Sequence, residues 1–215
     1  IASTNPRENK DYKTRKKSMK KHYVLASKSP RRSEILQNLG IPFEVVTAET
    51  DERSDVTDPE ALVELLSRRK GEAVAALLRE RGELTEDTVI LSSDTVVALD
   101  GRILGKPQGR ADAEQMLRAL SGRRHRVISG ICLISGERIA LSHEVTEVEF
   151  DEIPEASLSR YLDSDEPYDK AGAYAIQGRA SAWIRGIHGC YFNVVGLPVH
   201  RLNRLHSEIF GENLL

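Results

Sequence analysis

The sequence predicts an α/β fold of mixed character, with a central mixed β-sheet flanked by helices. Three features point there: strand-like and helix-like runs alternate at first, a block of hairpin signals intervenes, and amphipathic helical spacing returns towards the end. The 215 residues are 40% hydrophobic, enough for a sizeable core in one large domain or two closely packed lobes.

Tyr23-Val24-Leu25-Ala26 is a short apolar run that reads as a buried strand. In the stretch that follows, Ser29 suits a helix N-cap, Pro30 the first helical position and Gly40 the end, with Ile35, Leu36 and Leu39 as the apolar stripe. Phe43 to Val46 predicts a second strand, and the polar, acidic stretch Ala48 to Thr57 a loop. Asp58-Pro59 opens a long helix that ends before Gly82, with Leu62, Leu65, Leu66, Ala73, Ala76 and Leu77 as its expected apolar stripe. Val89 to Ser93 reads as a buried strand ending at Asp94. Thr95 to Leu99 continues it, Asp100-Gly101 turns it, and Arg102 to Leu104 returns. Ala111 to Leu120 is a short helix. Arg126 to Ile134 and Ile139 to Phe150 are two long strands, and Pro154 to Leu162 is a helix. Ala182 to Ile187 and Cys190 to Val195 read as a hairpin-like pair around His188-Gly189. Pro198 opens the final helix, carrying Val199, Leu202, Leu205 and Ile209.

Charge is unevenly spread. Residues 1 to 20 carry seven lysines and arginines against only Glu8 and Asp11, whereas the whole chain is −2. Residues 1–18 lack apolar periodicity and read as an expression leader or a disordered upstream extension. Residues 19–215 read as a single domain. The acidic body argues against a general nucleic-acid binder, and no apolar run approaches the length of a membrane span. Two cysteines far apart, Cys132 and Cys190, make no disulfide framework and fit a reducing compartment, the cytoplasm.

Several short stretches could carry chemistry. Ser27-Lys28-Ser29-Pro30-Arg31-Arg32 lies at a strand-to-helix junction, where free N–H groups and the helix dipole favour an anion. Ser27 and Ser29 supply hydroxyls there; Arg31 and Arg32 supply forked, permanently charged donors suited to phosphate. Two arginines in a first helical turn also oppose the dipole unless an anion is bound. Asp94 ends an apolar run, so its carboxylate needs a cation, hydrogen bonds or a metal-bound phosphate. The loop Glu49-Thr50-Asp51-Glu52 could supply a ligand to Mg²⁺, which takes one or two carboxylates plus substrate oxygens; taken alone, such a loop is more often solvated charge. Gly105-Lys106-Pro107 points a lysine out of a rigid turn. Asp169 to Gly178 flanks apolar residues with glycines and holds Gln177, whose amide could pair with the edge of a base or satisfy loop backbone. No Walker loop, dinucleotide Gly-rich fingerprint, zinc-binding His/Cys spacing or Gly-x-Ser-x-Gly elbow occurs.

Together, Leu25 to Arg32, Ser93-Asp94-Thr95-Val96-Val97, Gly105-Lys106-Pro107, Asp169 to Tyr174 and Val195-Gly196-Leu197-Pro198 resemble the Maf family of septum-formation-inhibitor-like nucleotide pyrophosphatases. The resemblance implies two lobes around a deep nucleotide-binding cleft, and hydrolysis at the α-phosphorus to a monophosphate and pyrophosphate with a divalent cation, Mg²⁺ or Mn²⁺. Thr95 and Gln177 match the branch of the family that acts on dTTP and UTP. On this likeness Ser27, Arg31, Arg32 and Lys106 hold the triphosphate, with Lys70 and Lys170 as further phosphate contacts. Glu52, placed by its spacing from Gly40, and Asp94 hold the metal. Asp94 accepts the water proton, a catalytic role that it can exchange with Glu52, and Thr95 and Gln177 read the base. A homodimer is also implied, although no interface signature is visible. Two other readings stand beside the enzyme: a nucleotide-binding regulator of cell division that does not turn over, and a nucleic-acid adaptor using the basic leader.

Overall fold

The computed structural model describes residues 21–215; the leader expected at residues 1–18 lies outside the described residues. Thirteen helices and strands follow the predicted order with few exceptions. β1 (His22–Leu25) leads into α1 (Pro30–Asn38), β2 (Phe43–Val45) and the long α2 (Pro59–Glu80). β3 (Thr88–Leu99) and β4 (Arg102–Leu104) form the expected hairpin, and Asp100 and Gly101 both take the positive φ that its turn requires. α3 (Arg110–Leu120), β5 (Arg124–Ser135), β6 (Arg138–Phe150) and α4 (Glu155–Leu162) come next. Three 3₁₀ turns (Glu166–Asp169, Ala171–Ala173 and Arg179–Trp183) precede β7 (Ile184–His188), α5 (Tyr191–Val195) and α6 (Val199–Phe210).

The seven strands make one mixed sheet in the order β2-β1-β3-β5-β6-β7, with β4 on the open edge of β3. β2, β1 and β3 run parallel; the remaining pairs are antiparallel. Side chains alternate across it. Leu25, Val89, Leu91, Ile131 and Leu133 pack against α1 and α6, while Val24, Ile90, Cys132 and Ile134 pack against Val74, Ala75 and Leu78 of α2. The far halves of β3 and β5 enter a separate core: Val97, Leu99 and Val127 pack with Leu117, Leu120, Leu158, Tyr161, Tyr174 and Trp183. One long strand therefore runs through two cores, and residues 93–95 lie between them.

That midpoint is also where the edge of β3 opens. β1 pairs with it only as far as Leu91, and β4 begins only at Val97. Asp94 thus sits in mid-strand rather than at a strand end. A ligand reaching this gap meets the carboxyl end of β1, the usual place for a site in a sheet with parallel strands.

Three expectations need correction. Ser29 occupies the N-cap of α1 but makes no side-chain cap; its own N–H donates instead to Ser27 Oγ (3.2 Å). The buried face of α2 is Val63, Leu66, Ser67, Gly71, Val74, Ala75 and Leu78, so Leu66 alone of the expected stripe is fully buried. Leucine and alanine recur all round this helix, and the small residues Ser67 and Gly71 bring it against the sheet, where Ser92 Oγ donates to Ser67 O (2.6 Å). Cys190 to Val195 is not a strand. Thr146 Oγ1 accepts from Cys190 N (3.0 Å) and Asn193 Nδ2 donates to Val127 O (2.9 Å), which pins a helical turn onto β5 and β6. β7 pairs with β6 instead.

Candidate functional site

A cleft of about 690 Å³ opens at the gap in β3. It brings together all ten residues singled out from the sequence: Ser27, Arg31, Arg32, Glu52, Lys70, Asp94, Thr95, Lys106, Lys170 and Gln177.

Strand alternation aims Asp94 and Thr95 to opposite faces of β3. Asp94 points to the α2 side and is 9% exposed. Its carboxylate accepts a hydrogen bond from the Lys70 ammonium, which also forms an ion pair with Glu52 (Nζ to Oε1, 2.9 Å). Lys70 therefore bridges the two carboxylates that the family likeness places around a metal. The hydrogen bond from Lys70 holds the Glu52 carboxyl below its ordinary value against the opposing effect of burial, with Lys106 and Arg32 adding to it. The neighbouring Arg69 was not read from the sequence. Its Nη1 donates to Asp51 O (3.1 Å) and Arg53 O (2.9 Å), the carbonyls on either side of Glu52, and so fastens the acidic loop to α2. Nothing local signals this contact, because its partners are backbone atoms of a loop.

On the other face, Arg32 organises the α1 junction. Nε donates to Gly196 O (2.8 Å), Nη1 to Ser27 Oγ (3.0 Å) and Nη2 to Thr95 Oγ1 (3.1 Å). Burial pulls the guanidinium below its ordinary value; Asp94 opposes this and Arg31 adds to it. Gly196 O also accepts from Ser93 Oγ (3.0 Å), so the turn before α6 is sewn to both α1 and β3. Arg31, by contrast, has no side-chain hydrogen-bond partner among the described residues. Ser27 Oγ accepts twice, from Arg32 and from Ser29 N, which leaves its own proton for an acceptor in the cleft.

The proton of Thr95 can be traced. Ser129 Oγ donates to Asn193 O (2.9 Å), so in the Thr95–Ser129 pair (2.8 Å) Thr95 is the donor. Thr95 thus accepts from Arg32 and gives its only hydrogen to Ser129. A base approaching Thr95 finds at most a lone pair.

The remaining groups come from the second core. Gly172 N donates to Gly105 O (3.0 Å), which ties the Lys106 turn to the 3₁₀ segment. Lys170 Nζ donates to Glu166 O (2.8 Å) and pairs with Asp169. Burial works to raise the Asp169 carboxyl, but Lys170 and Arg31 hold it below its ordinary value. Tyr174, Ile176 and Gln177 complete this wall. Tyr174 Oη shares a hydrogen bond of 2.7 Å with His125 Nε2. Gln177 is exposed to the cleft, and its amide has no side-chain partner among the described residues.

Fold and site together define a class: an α/β protein whose cleft offers guanidinium, ammonium and hydroxyl donors beside two carboxylates, a site for a polyanion. The comparisons then fix the family. The description Maf-like protein matches residues 22–209, and the chain belongs to that family. It is 48% identical to the dTTP/UTP pyrophosphatase of Symbiobacterium thermophilum over 189 residues, covering 87% of this chain and 93% of that protein. It is 44% identical to the protein of the same name from Pelotomaculum thermopropionicum, covering 91% and 100%. A third of that name, from Bacillus cytotoxicus, is 43% identical over 86% and 93%.

Proposed function

We propose that this chain hydrolyses nucleoside triphosphates, dTTP and UTP foremost, to the monophosphate and pyrophosphate by attack of water at the α-phosphorus. The observation that carries the reading is the meeting of the Asp94–Lys70–Glu52 group with Ser27, Arg31 and Arg32 at one opening in the sheet. The names of the relatives support the reaction and the pyrimidine preference, and favour turnover over a silent regulator of division. Residues 19–215 would act as one unit, in keeping with the family match over 22–209. A cytoplasmic location agrees with two free cysteines, a homodimer with the family likeness.

Roles follow from what each group still has to offer. Arg31 and Lys106 hold the triphosphate and stabilise charge that grows on it during reaction. Ser27 donates its remaining proton. Arg32 has spent three donors on the protein, so it shapes the anion site while adding charge to it. Lys70 and Lys170 are further phosphate contacts; Lys70 exchanges its carboxylate partners for phosphate oxygens when substrate enters. Asp94 accepts the proton of the attacking water.

Among the described residues no three His, Cys, Asp or Glu side chains form a metal cluster. Two carboxylates held close by one ammonium nevertheless suit Mg²⁺ or Mn²⁺, which draws its other ligands from substrate phosphate and water. Glu52 and Asp94 would hold it. Bound there, a divalent cation polarises the phosphate and acidifies a water molecule. Gln177 reads the base, and Thr95 holds Arg32 in place beside it.

The test is release of pyrophosphate from a panel of nucleoside triphosphates with Mn²⁺. Turnover led by dTTP and UTP is expected. Intact nucleotide throughout the panel would remove the enzyme reading and revive the regulator.

A further inference from the structure

The loop that carries Gln177 has little structure of its own. Between Tyr174 and the 3₁₀ turn at Arg179–Trp183 there is no strand ladder, and Gly178 N to Ala175 O (3.2 Å) is its one internal backbone bond. Something outside the loop must therefore set how far Gln177 projects into the cleft. Besides the packing of Ile176 and the hydrogen bond of Tyr174 to His125, the outside contact is the carboxylate of Glu166, on the first 3₁₀ turn. Oε2 accepts from Arg179 N (3.0 Å), and Oε1 accepts from Tyr161 Oη (3.1 Å). Tyr161 is anchored in the core, stacked edge-on against Trp183 at 5.0 Å. Glu166 thus ties the loop to α4 through one carboxylate.

Gly178 is part of the same device. A Cβ at this position would coincide with the Glu166 carboxylate. Its backbone is at φ −102°, which any residue can adopt, so glycine is required here for room and not for conformation. The atoms in the way are the far end of a flexible side chain. An alanine would therefore expel the carboxylate and break its two hydrogen bonds without straining the backbone.

We propose that Glu166 and Gly178 form a lock that sets the depth of the base pocket, and hence admits a one-ring base and rejects a two-ring base. The phosphate groups are anchored at α1, so the position of the Gln177 loop fixes the room left for the base. Glu166 itself touches neither substrate nor the reacting atoms; it is a positioning residue. The inference rests on the reading of this wall as the base pocket.

The experiment compares UTP with ATP, as kcat/KM and, in parallel, as binding affinity by calorimetry, in the full chain. Gly178→Ala and Glu166→Ala should each cut the UTP-over-ATP preference roughly tenfold, the size of a lost charge-assisted hydrogen bond. The double variant should match either single variant rather than multiply them, because both remove one contact. Glu166→Gln keeps an acceptor for Arg179 N and should hold the preference within about twofold. Single variants that melt earlier but keep the wild-type preference would reduce Glu166 to a structural role and overturn the lock, as would multiplicative losses in the double variant. Gln177→Ala separates the two readings. If it shifts the preference and the Glu166 variants do not, the lock alone fails. If Glu166 variants shift it and Gln177→Ala does not, the lock stands and the amide is not the base reader. If neither affinity nor turnover changes with the base in any variant, the base-pocket reading falls with the lock.

Discussion

Along the wall of the cleft built from β1, α1 and α2, Lys70, Glu52, Asp94 and Arg32 are held by other protein groups, whereas Arg31 has no side-chain hydrogen-bond partner among the described residues. Lys70 lies between Glu52 and Asp94, and Arg32 reaches Ser27, Thr95 and Gly196. Along the wall built from residues 169–179 the pattern inverts at Gln177: the amide has no side-chain partner among the described residues, and the bonds that fix its loop, from Glu166 and His125, run away from the cleft into the second core. A lone buried charge is costly, so Asp94 and Lys70, set into the sheet, pair in the absence of substrate. They neutralise each other and exchange partners when substrate arrives. A group that reads a neutral base can wait unpaired and exposed, but its position has to be imposed from behind. The difference predicts that substitutions on the first wall act chiefly on rate, and those around the Gln177 loop on selectivity or stability.

The largest effect is expected at Asp94. Asparagine keeps the shape and can still accept from Lys70, so folding is preserved, but it cannot take a proton from water. Turnover of dTTP should fall by about 10³-fold, in the range of a lost general base. The thermal melt should stay close to that of the wild type. A protein that instead melts many degrees lower, or that turns over nearly as fast, would make Asp94 a structural partner of Lys70 and erase the distinction between the walls.

The two arginines sharpen the same contrast within one wall. Arg32 makes three hydrogen bonds to three different parts of the chain, which the single ammonium of lysine cannot span. Arg32→Lys should lower kcat/KM by about 10²-fold and cost about 1–3 kcal/mol of stability through the acceptors it leaves behind. Arg31→Lys keeps the charge and breaks no side-chain hydrogen bond among the described residues, so its kcat/KM should fall less and its stability should be unchanged in urea titrations. Equal losses at both positions would show that Arg32 acts by charge alone.

What the sequence made legible was local. The β1–α1 junction shows its Ser-Pro start, the β3–β4 hairpin its Asp100-Gly101 turn, and nine of the ten candidate residues lie in motifs or at readable spacings, Lys70 being singled out by the family likeness alone. What it hid were contacts between distant segments. The hydroxyl of Thr95 looks available in a list of residues, yet it is committed to Arg32 and Ser129, from α1 and β5. Arg69 and Glu166 hold loops through main-chain atoms, which leave no trace in side-chain patterns. Cys190 to Val195 has strand-like composition; only Thr146 and Asn193, brought in from β6 and the turn itself, decide for a helix. Likewise α2 carries apolar residues on every side, so its buried face is chosen by the close approach of Ser67 and Gly71 to the sheet.

The smallest effect on catalysis should appear behind the second wall, at His125. The ring is 3% exposed, packed edge-on against Phe150 and Tyr174, and its Nδ1 has no hydrogen-bond partner among the described residues. Burial pushes its pKa down to about 4, so the folded protein holds the imidazole neutral where the unfolded chain would protonate it. The unfolded state therefore binds the extra proton between the ordinary histidine value, about 6.5, and about 4. Stability from this group is complete above that window, falls by about 1 kcal/mol per pH unit as acid is added through it, and levels off below. His125→Phe abolishes the titration and should flatten this part of the pH profile of urea midpoints, while base preference at neutral pH moves little because Glu166 still holds the other end of the loop. An unchanged slope in the variant would assign the acid sensitivity to carboxylates of the first wall, and the second wall would lose its claim to be the part of the cleft held from behind by the core.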